Sequence, residues 1–382
     1  MSMSTISNFL NGRPVDCLNF MEICDRLGQD HKEIADFGDR DRPANPLPEA
    51  SEQIEEREIA TYIERPPIEA RCTETILQPG SLLRIKGSKR MGKTLLIDRI
   101  LARATKANYR TASLSLLLAD GAVLNGLDEF LRWFCIVVSR QLQLPAQLEE
   151  YWEPELGSSY NCTLYFEENL LGQIDSPLVL ALDEVDRIFS AGKIAGDFLG
   201  MLRAWHEKAK SRPLWQKLRL IVAHSTEVYV PLDINHSPFN VGVPIELPEF
   251  SAEQVQDLAR RQGLTWSQQE VGSLMDLVGG HPYRLQRAIY CLKNGEVTFE
   301  QLLKTASTAA GIYSSHLRGL LCNLRRNPEL ATAMKQVVET DKPISLETTQ
   351  AFKLQSLGLV VLEENNVRPR CNLYSQYFRE RL

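Results

Sequence analysis

The sequence predicts an α/β chain: a mostly parallel sheet with helices on both faces, followed by a helical stretch and a closing helix-and-hairpin unit. Three observations carry this. Between residues 60 and 249, short β-rich runs alternate with amphipathic helical stripes. At 82–96, "LLRIKGSKRMGKTLL" runs an apolar strand into a glycine-framed basic loop and then into a helix. After Phe250 the apolar spacing becomes helical, until "TTQAFKLQSLGLVVLEENNVRPRCNLY" at 348–374 reads as a helix, a strand at 359–362, a polar turn and a second strand at 367–373.

At 382 residues the chain exceeds one ordinary core, so two or three domains are expected. Lys plus Arg is 43 and Asp plus Glu is 49, a formal charge of −6, which argues against a surface coated for non-specific nucleic-acid binding. The eight cysteines form no C-x-x-C pair and show no zinc spacing, so reduced and mostly buried thiols are expected. The sequence shows no charged-then-apolar leader and no apolar run near 18 residues. A cytoplasmic protein with no membrane contact is the expectation.

Taken in order, residues 1–35 hold two short helical patterns, "STISNFLNG" and "NFMEICDRLG", the second with Phe20, Ile23, Cys24 and Leu27 on one face. Residues 36–59 are rich in proline and charge, the composition of a linker. In the segment from 60 to 249, strands are predicted at 82–86, 109–115, 178–182, 218–223 and 243–247. Leu127, Phe130, Leu131, Phe134, Val138 and Leu142 mark one helical stripe between them, and Ile194, Phe198, Leu202 and Trp205 another. Residues 250–295 read as a helical lid. Ser251 with Gln254 and Ser267 with Glu270 form capping boxes, Phe250 with Val255 and Trp266 with Val271 form staples, and Pro282 after Gly279 and Gly280 opens the next helix. The remainder, 296–382, is expected to be a winged-helix-like domain.

Gly87, Ser88, Lys89, Arg90, Met91, Gly92, Lys93 and Thr94 fit the pattern G-x-x-x-x-G-K-[ST] between a strand and a helix. Main-chain N–H groups of such a loop wrap phosphates, the lysine reaches the β/γ oxygens, and the hydroxyl ligates Mg²⁺. A nucleotide site of this kind needs a second, acidic strand, which "LVLALDEVD" at 178–186 supplies. There Asp183 is placed to hold Mg²⁺ through water and Glu184 to polarise the attacking water. A further strand, "LRLIVAHST", ends in His224, Ser225 and Thr226, where a γ-phosphate sensor would lie. The fold class expected is thus a P-loop NTPase with ATP or ADP and Mg²⁺ as ligands.

The loop, the acidic strand, "SPFNVGVPIEL" at 237–247 and "GGHPYRLQ" at 279–286 together resemble the cyanobacterial AAA-like family, which belongs with the STAND signal-transduction ATPases. "YIERPPIEARCTETILQPG" at 62–80 looks like that group's lead-in segment, which cradles the adenine, usually with Gly before its Arg; here Glu64 precedes Arg65. The resemblance implies that Arg65 and Pro282 contact the nucleotide, and that bound ATP or ADP sets a conformational switch. "STISNFLNGRPVDCLNFMEIC" is similar to the second half of a phage-repressor helix-turn-helix, without a counterpart of the first two helices. Further residues upstream, or docking of 4–34 on another surface, are therefore expected. Residues 1–40 carry four basic groups against seven acidic ones, which disfavours phosphate binding by this segment.

The leading expectation is a slowly hydrolysing ATP switch in signalling or regulation, with a protein partner or self-association on switching. The alternative is an ATP-dependent DNA-associated regulator, either a transcription factor or a transposon target-selection ATPase. A third reading, an adaptor that keeps ADP permanently, would have no use for Glu184.

Overall fold

Every strand of the main sheet points the same way, and alternate residues of the central strands feed different apolar layers. A computed structural model describes residues 62–225 and 240–382. The amino-terminal helical patterns, the linker at 36–59, Thr226 and Ser237–Phe239 of the quoted motif lie outside the described residues.

The strands are β1 (Leu82–Gly87), β2 (Arg110–Ser115), β3 (Leu178–Asp183), β4 (Leu218–Ser225) and β5 (Val243–Glu246), parallel in the order β2-β3-β4-β1-β5. The five sequence runs therefore found their strands, with ends differing by a residue or two. All six residues of β3 are buried, as expected of a central parallel strand covered on both faces. Leu178, Leu180 and Leu182 enter one core with Leu82, Leu114, Leu220 and Val222, while Val179 and Ala181 enter another with Leu83, Ile85, Ile221 and Ile245.

Helices α1 (Ile68–Leu77) and α2 (Lys93–Lys106) cover the second of these faces through Ile76, Leu96, Ile97 and Ile100. On the first face lie α3 (Leu127–Gln141), α4 (Ser158–Tyr165) and α5 (Gly192–Ala209). The two predicted stripes are the buried sides of α3 and α5. They meet where Phe198 packs edge-on against Phe130 and Phe134, with ring centroids 5.0 and 5.3 Å apart. The six described cysteines are free and buried.

Beyond the sheet come α6 (Ala252–Arg261), α7 (Gln268–Val278), α8 (Pro282–Lys293), α9 (Phe299–Thr305), α10 (Ser314–Arg325), α11 (Pro328–Glu339) and α12 (Thr348–Ser356). The chain then forms an antiparallel hairpin, β6 (Val360–Glu363) and β7 (Asn366–Pro369), and ends in α13 (Asn372–Arg381). Both predicted capping boxes form, and Thr298 with Gln301 makes a third. One apolar cluster runs from Val255 and Leu274 through Leu285 and Leu317 to Leu354, Val360 and Phe378. Among the described residues no helix is long and apolar enough to cross a membrane.

The strand expected over 367–373 is shorter. It ends at Pro369; Arg370 N still donates to Leu359 O at 2.9 Å, and α13 begins at Asn372. Leu373, Tyr374, Tyr377 and Phe378 then bury one side of α13, a helical spacing that short alternation had hidden.

The sheet and the helical region are joined at Glu249. Its Oε1 accepts from Arg284 Nη2 on α8 (3.3 Å) and from Arg370 Nη1 beyond β7 (3.2 Å), while Oε2 accepts from Gly280 N (3.0 Å). Arg284, 2% exposed, also donates from Nη1 to Tyr374 Oη at 2.6 Å. Gly280 is required by space, because a Cβ there would lie 2.3 Å from the Phe250 carbonyl oxygen. Glu249→Ala leaves two guanidinium groups short of an acceptor and is expected to destabilise the chain by about 1.5–3 kcal/mol, the worth of a hydrogen bond to a charged group. A lowered urea midpoint checks this; an unchanged midpoint would show that Glu249 does not hold the junction.

Candidate active site

β1 ends at Gly87, the chain turns through Ser88–Met91 with Arg90 at φ 60, and Gly92 at φ 90 starts α2. Gly92 tolerates the left-handed conformation that a β-carbon would strain. No side chain caps α2, so its first-turn N–H groups face the loop and meet the requirement for an anion site. Lys93, 8% exposed, lies back across this loop and donates to the carbonyls of Gly87 (3.0 Å) and Ser88 (2.9 Å).

Thr94 Oγ1 donates to Asp183 Oδ2 at 2.5 Å, across 89 residues of sequence. That length belongs to a charge-assisted O–H···O⁻ bond. Asp183 is buried at the end of β3, and its Oδ1 accepts from Glu184 N at 2.8 Å. A hydroxyl and a carboxylate meeting beside a phosphate loop suit Mg²⁺, which takes one or two protein oxygens and completes its shell with phosphate and water.

Glu184 leaves the strand at φ 53, a conformation unfavourable for a residue with a β-carbon. Its Oε2 accepts from Ser115 Oγ at the end of β2, at 2.9 Å. Burial pushes the Glu184 carboxyl above its ordinary range; the Ser115 hydrogen bond opposes this, and the charges of Asp183 and Asp186 add to the rise. A carboxylate whose pKa is raised by burial can take a proton from water.

Of the candidate sensor residues, Ser225 stands in register with Gly87 and is buried, with its N–H bound to Asp186 Oδ1 at 2.8 Å. His224 is opposite Lys86, and burial holds its imidazole down at about 4, so it is neutral near pH 7.

Arg65 lies behind the loop. Its Nη2 donates to the Met91 carbonyl at 2.8 Å, its guanidinium covers the Phe250 ring at 4.6 Å, and its N–H donates to Glu69 Oε1. Its Nε and Nη1 are buried with no hydrogen-bond partner among the described residues. Glu64, before Arg65, turns outward to an ion pair with Arg99 at 2.5 Å.

The helical region meets the loop at two successive residues, Lys89 and Arg90. His281 faces the Lys89 main chain. Tyr283 stacks under the Arg90 guanidinium at 4.1 Å. Pro282 is buried between the last two, at the first position of α8.

Sequence reasoning missed Ser115, Asp186, Glu249 and Tyr283. Ser115 was findable, being a polar residue at the carboxyl end of a strand, the same signal that singles out Asp183. A surface groove of about 580 Å³ between α4 and α5, lined by Tyr160, Met201 and Trp205, contains none of these residues.

No curated protein sequence matches the chain. Among solved structures, the Walker-type ATPase of Pyrococcus abyssi is similar with a TM-score of 0.58 and 14% identity, covering 83% of this chain and 96% of that one. The Aeropyrum pernix ORC2 protein in its ADPNP–ADP complexes gives 0.53 and 19%, covering 85% and 96%. These likenesses show the fold, a P-loop ATPase sheet with its following helices. The sequence profile of the AAA-like domain matches residues 50–380, and the chain belongs to that family.

Proposed function

We propose that the chain binds and slowly hydrolyses Mg-ATP, and uses the difference between ATP and ADP to set the position of its lid and carboxy-terminal unit. The observation that carries this reading is the Thr94–Asp183 contact beside Lys93, with Glu184 on the next residue. That the similar ORC2 protein was solved in ADPNP–ADP complexes supports an adenine nucleotide as the ligand.

In this mechanism the loop N–H groups and the first turn of α2 hold the phosphates, and Lys93 exchanges the Gly87 and Ser88 carbonyls for phosphate oxygens. Thr94 and Asp183 would hold Mg²⁺, which neutralises charge on the β- and γ-phosphates when bound. Glu184 takes a proton from water as the water oxygen bonds to the γ-phosphorus. The bond from that phosphorus to the bridging oxygen breaks, and the electron pair leaves with ADP. While Ser115 holds Glu184, the base is restrained, which supports slow basal turnover. Arg65 ties the loop to Phe250 and supports the role of the 62–80 segment in framing the nucleotide.

Contacts from His281 and Tyr283 to Lys89 and Arg90 support a lid that responds to what the loop holds. The bridge between Ile344 and Val367 beside the β6–β7 hairpin supports the winged-helix reading of the last unit. A STAND-type signalling switch with a protein partner or self-association follows; the net charge of −6 does not favour the DNA-associated alternative.

Lys93→Ala is expected to remove nucleotide binding while keeping the fold. At ATP about 100-fold above its dissociation constant, the wild type should gain about 2.7 kcal/mol that the variant lacks. Thermal melts with and without Mg-ATP check it; equal shifts in both proteins would contradict the site. Glu184→Gln is expected to bind Mg-ATP and slow single turnover by about 100-fold or more. Ser115→Ala is expected to act oppositely, raising the rate roughly 2–10-fold as one hydrogen bond to the base is lost. A slower Ser115 variant would show that the hydroxyl positions the base and does not restrain it.

A further inference from the structure

β3 leaves the sheet before its neighbour does. Its pairing with β4 ends at Leu182 opposite Val222, and the chain turns away at Glu184, while β4 continues to Ser225 opposite Gly87 of β1. Main-chain N–H groups alternate between the two sides of a strand. Leu220 N donates to Ser81 O on the β1 side at 2.9 Å, so the N–H groups of Ala223 and Ser225 face the side that β3 vacates. At Ser225 a side chain takes the place of the missing strand, because Asp186 Oδ1 accepts its N–H at 2.8 Å. Asp186 belongs to the 3-10 turn Val185–Ser190, which starts directly after Glu184.

We propose that Asp186 is a positioning residue for hydrolysis: its carboxylate supplies the last rung of the sheet and ties the end of β4 to the turn that carries Glu184. The inference rests on the reading of Glu184 as the base. Ser225 is buried beside the first glycine of the phosphate loop, so the Asp186 bond fixes where the sensing strand stops relative to the terminal phosphate. A strand end without that rung has one fewer constraint on its register, and small misplacements near reacting atoms are costly. What the arrangement uses is an acceptor oxygen, which an asparagine also provides. Charge is not required for it.

The test uses Asp186→Ala and Asp186→Asn in the full chain, with three readouts: single-turnover ATP hydrolysis, ADP affinity, and amide hydrogen exchange over 218–225. The alanine variant is expected to turn over about tenfold more slowly or worse, to bind ADP within about threefold of wild type, and to exchange faster at the end of β4. The asparagine variant should restore both the rate and the protection. An alanine variant with wild-type turnover and exchange would overturn the proposal. So would an asparagine variant that regains protection but stays as slow as alanine, since the charge would then be what matters. Wild-type protein that hydrolyses no ATP would remove the base assignment and with it the catalytic half of this one. The exchange arm then decides the structural half, which unchanged protection in the alanine variant would overturn.

Discussion

The hydrogen bond from Thr94 Oγ1 to Asp183 Oδ2 joins two elements that share no direct strand pairing. Thr94 opens α2 after β1; Asp183 closes β3. Between them runs β4, so the contact exists because the three parallel strands end at the same edge of the sheet, β3 a little before β4, and the helix after β1 leans over the gap. This is the position at which open α/β sheets collect ligands, outside the carboxyl ends of their strands. Gly92 at φ 90 sets where α2 begins, and the alternating apolar residues of β3 fix which face each strand presents. A slip of one residue in β3 would turn Asp183 toward the opposite face and separate it from Thr94.

Control of the site is built from bonds that must be exchanged rather than created. Lys93 is already paired with two loop carbonyls, Asp183 with a hydroxyl and an amide, and Glu184 with Ser115. An arriving phosphate competes with existing partners, so the net gain per contact is smaller than the contact itself. The helical region meets the same loop through Tyr283 under Arg90 and through His281 at Lys89, and Glu249 ties α8 to the hairpin through Arg284 and Arg370. A displacement of the loop therefore has mechanical partners in the helical region.

Much of this was legible in the sequence because it is written in short-range patterns. Five apolar runs became five strands, two serine-led capping boxes formed where the spacing placed them, and the glycine-lysine-threonine loop sits between its strand and its helix. The pairing of Thr94 with Asp183 could be anticipated because the chemistry demands a partner. Bonds with no local signature were not legible: Ser115 to Glu184 and Asp186 to Ser225 depend on which strands are neighbours and where one stops, and Glu249 to two arginines depends on how the helical region docks. The end of the hairpin was misread because "RPRCNLY" alternates over a few residues, and only burial of Leu373, Tyr374, Tyr377 and Phe378 on one side reveals the helix. Of the residues expected to sense the γ-phosphate, register brings Ser225 to Gly87, and burial leaves His224 neutral beside it.

The most direct measurement of the central claim is a double-mutant cycle on ADP affinity with Thr94→Val, Asp183→Asn and the pair, each titrated with and without Mg²⁺. If these two residues share one metal, the cycle should give a coupling of about 1 kcal/mol or more with Mg²⁺, and that coupling should fall toward zero when EDTA removes it. Additive effects in Mg²⁺, or a coupling that persists unchanged in EDTA, would contradict a shared metal and reduce the 2.5 Å bond to a structural tie.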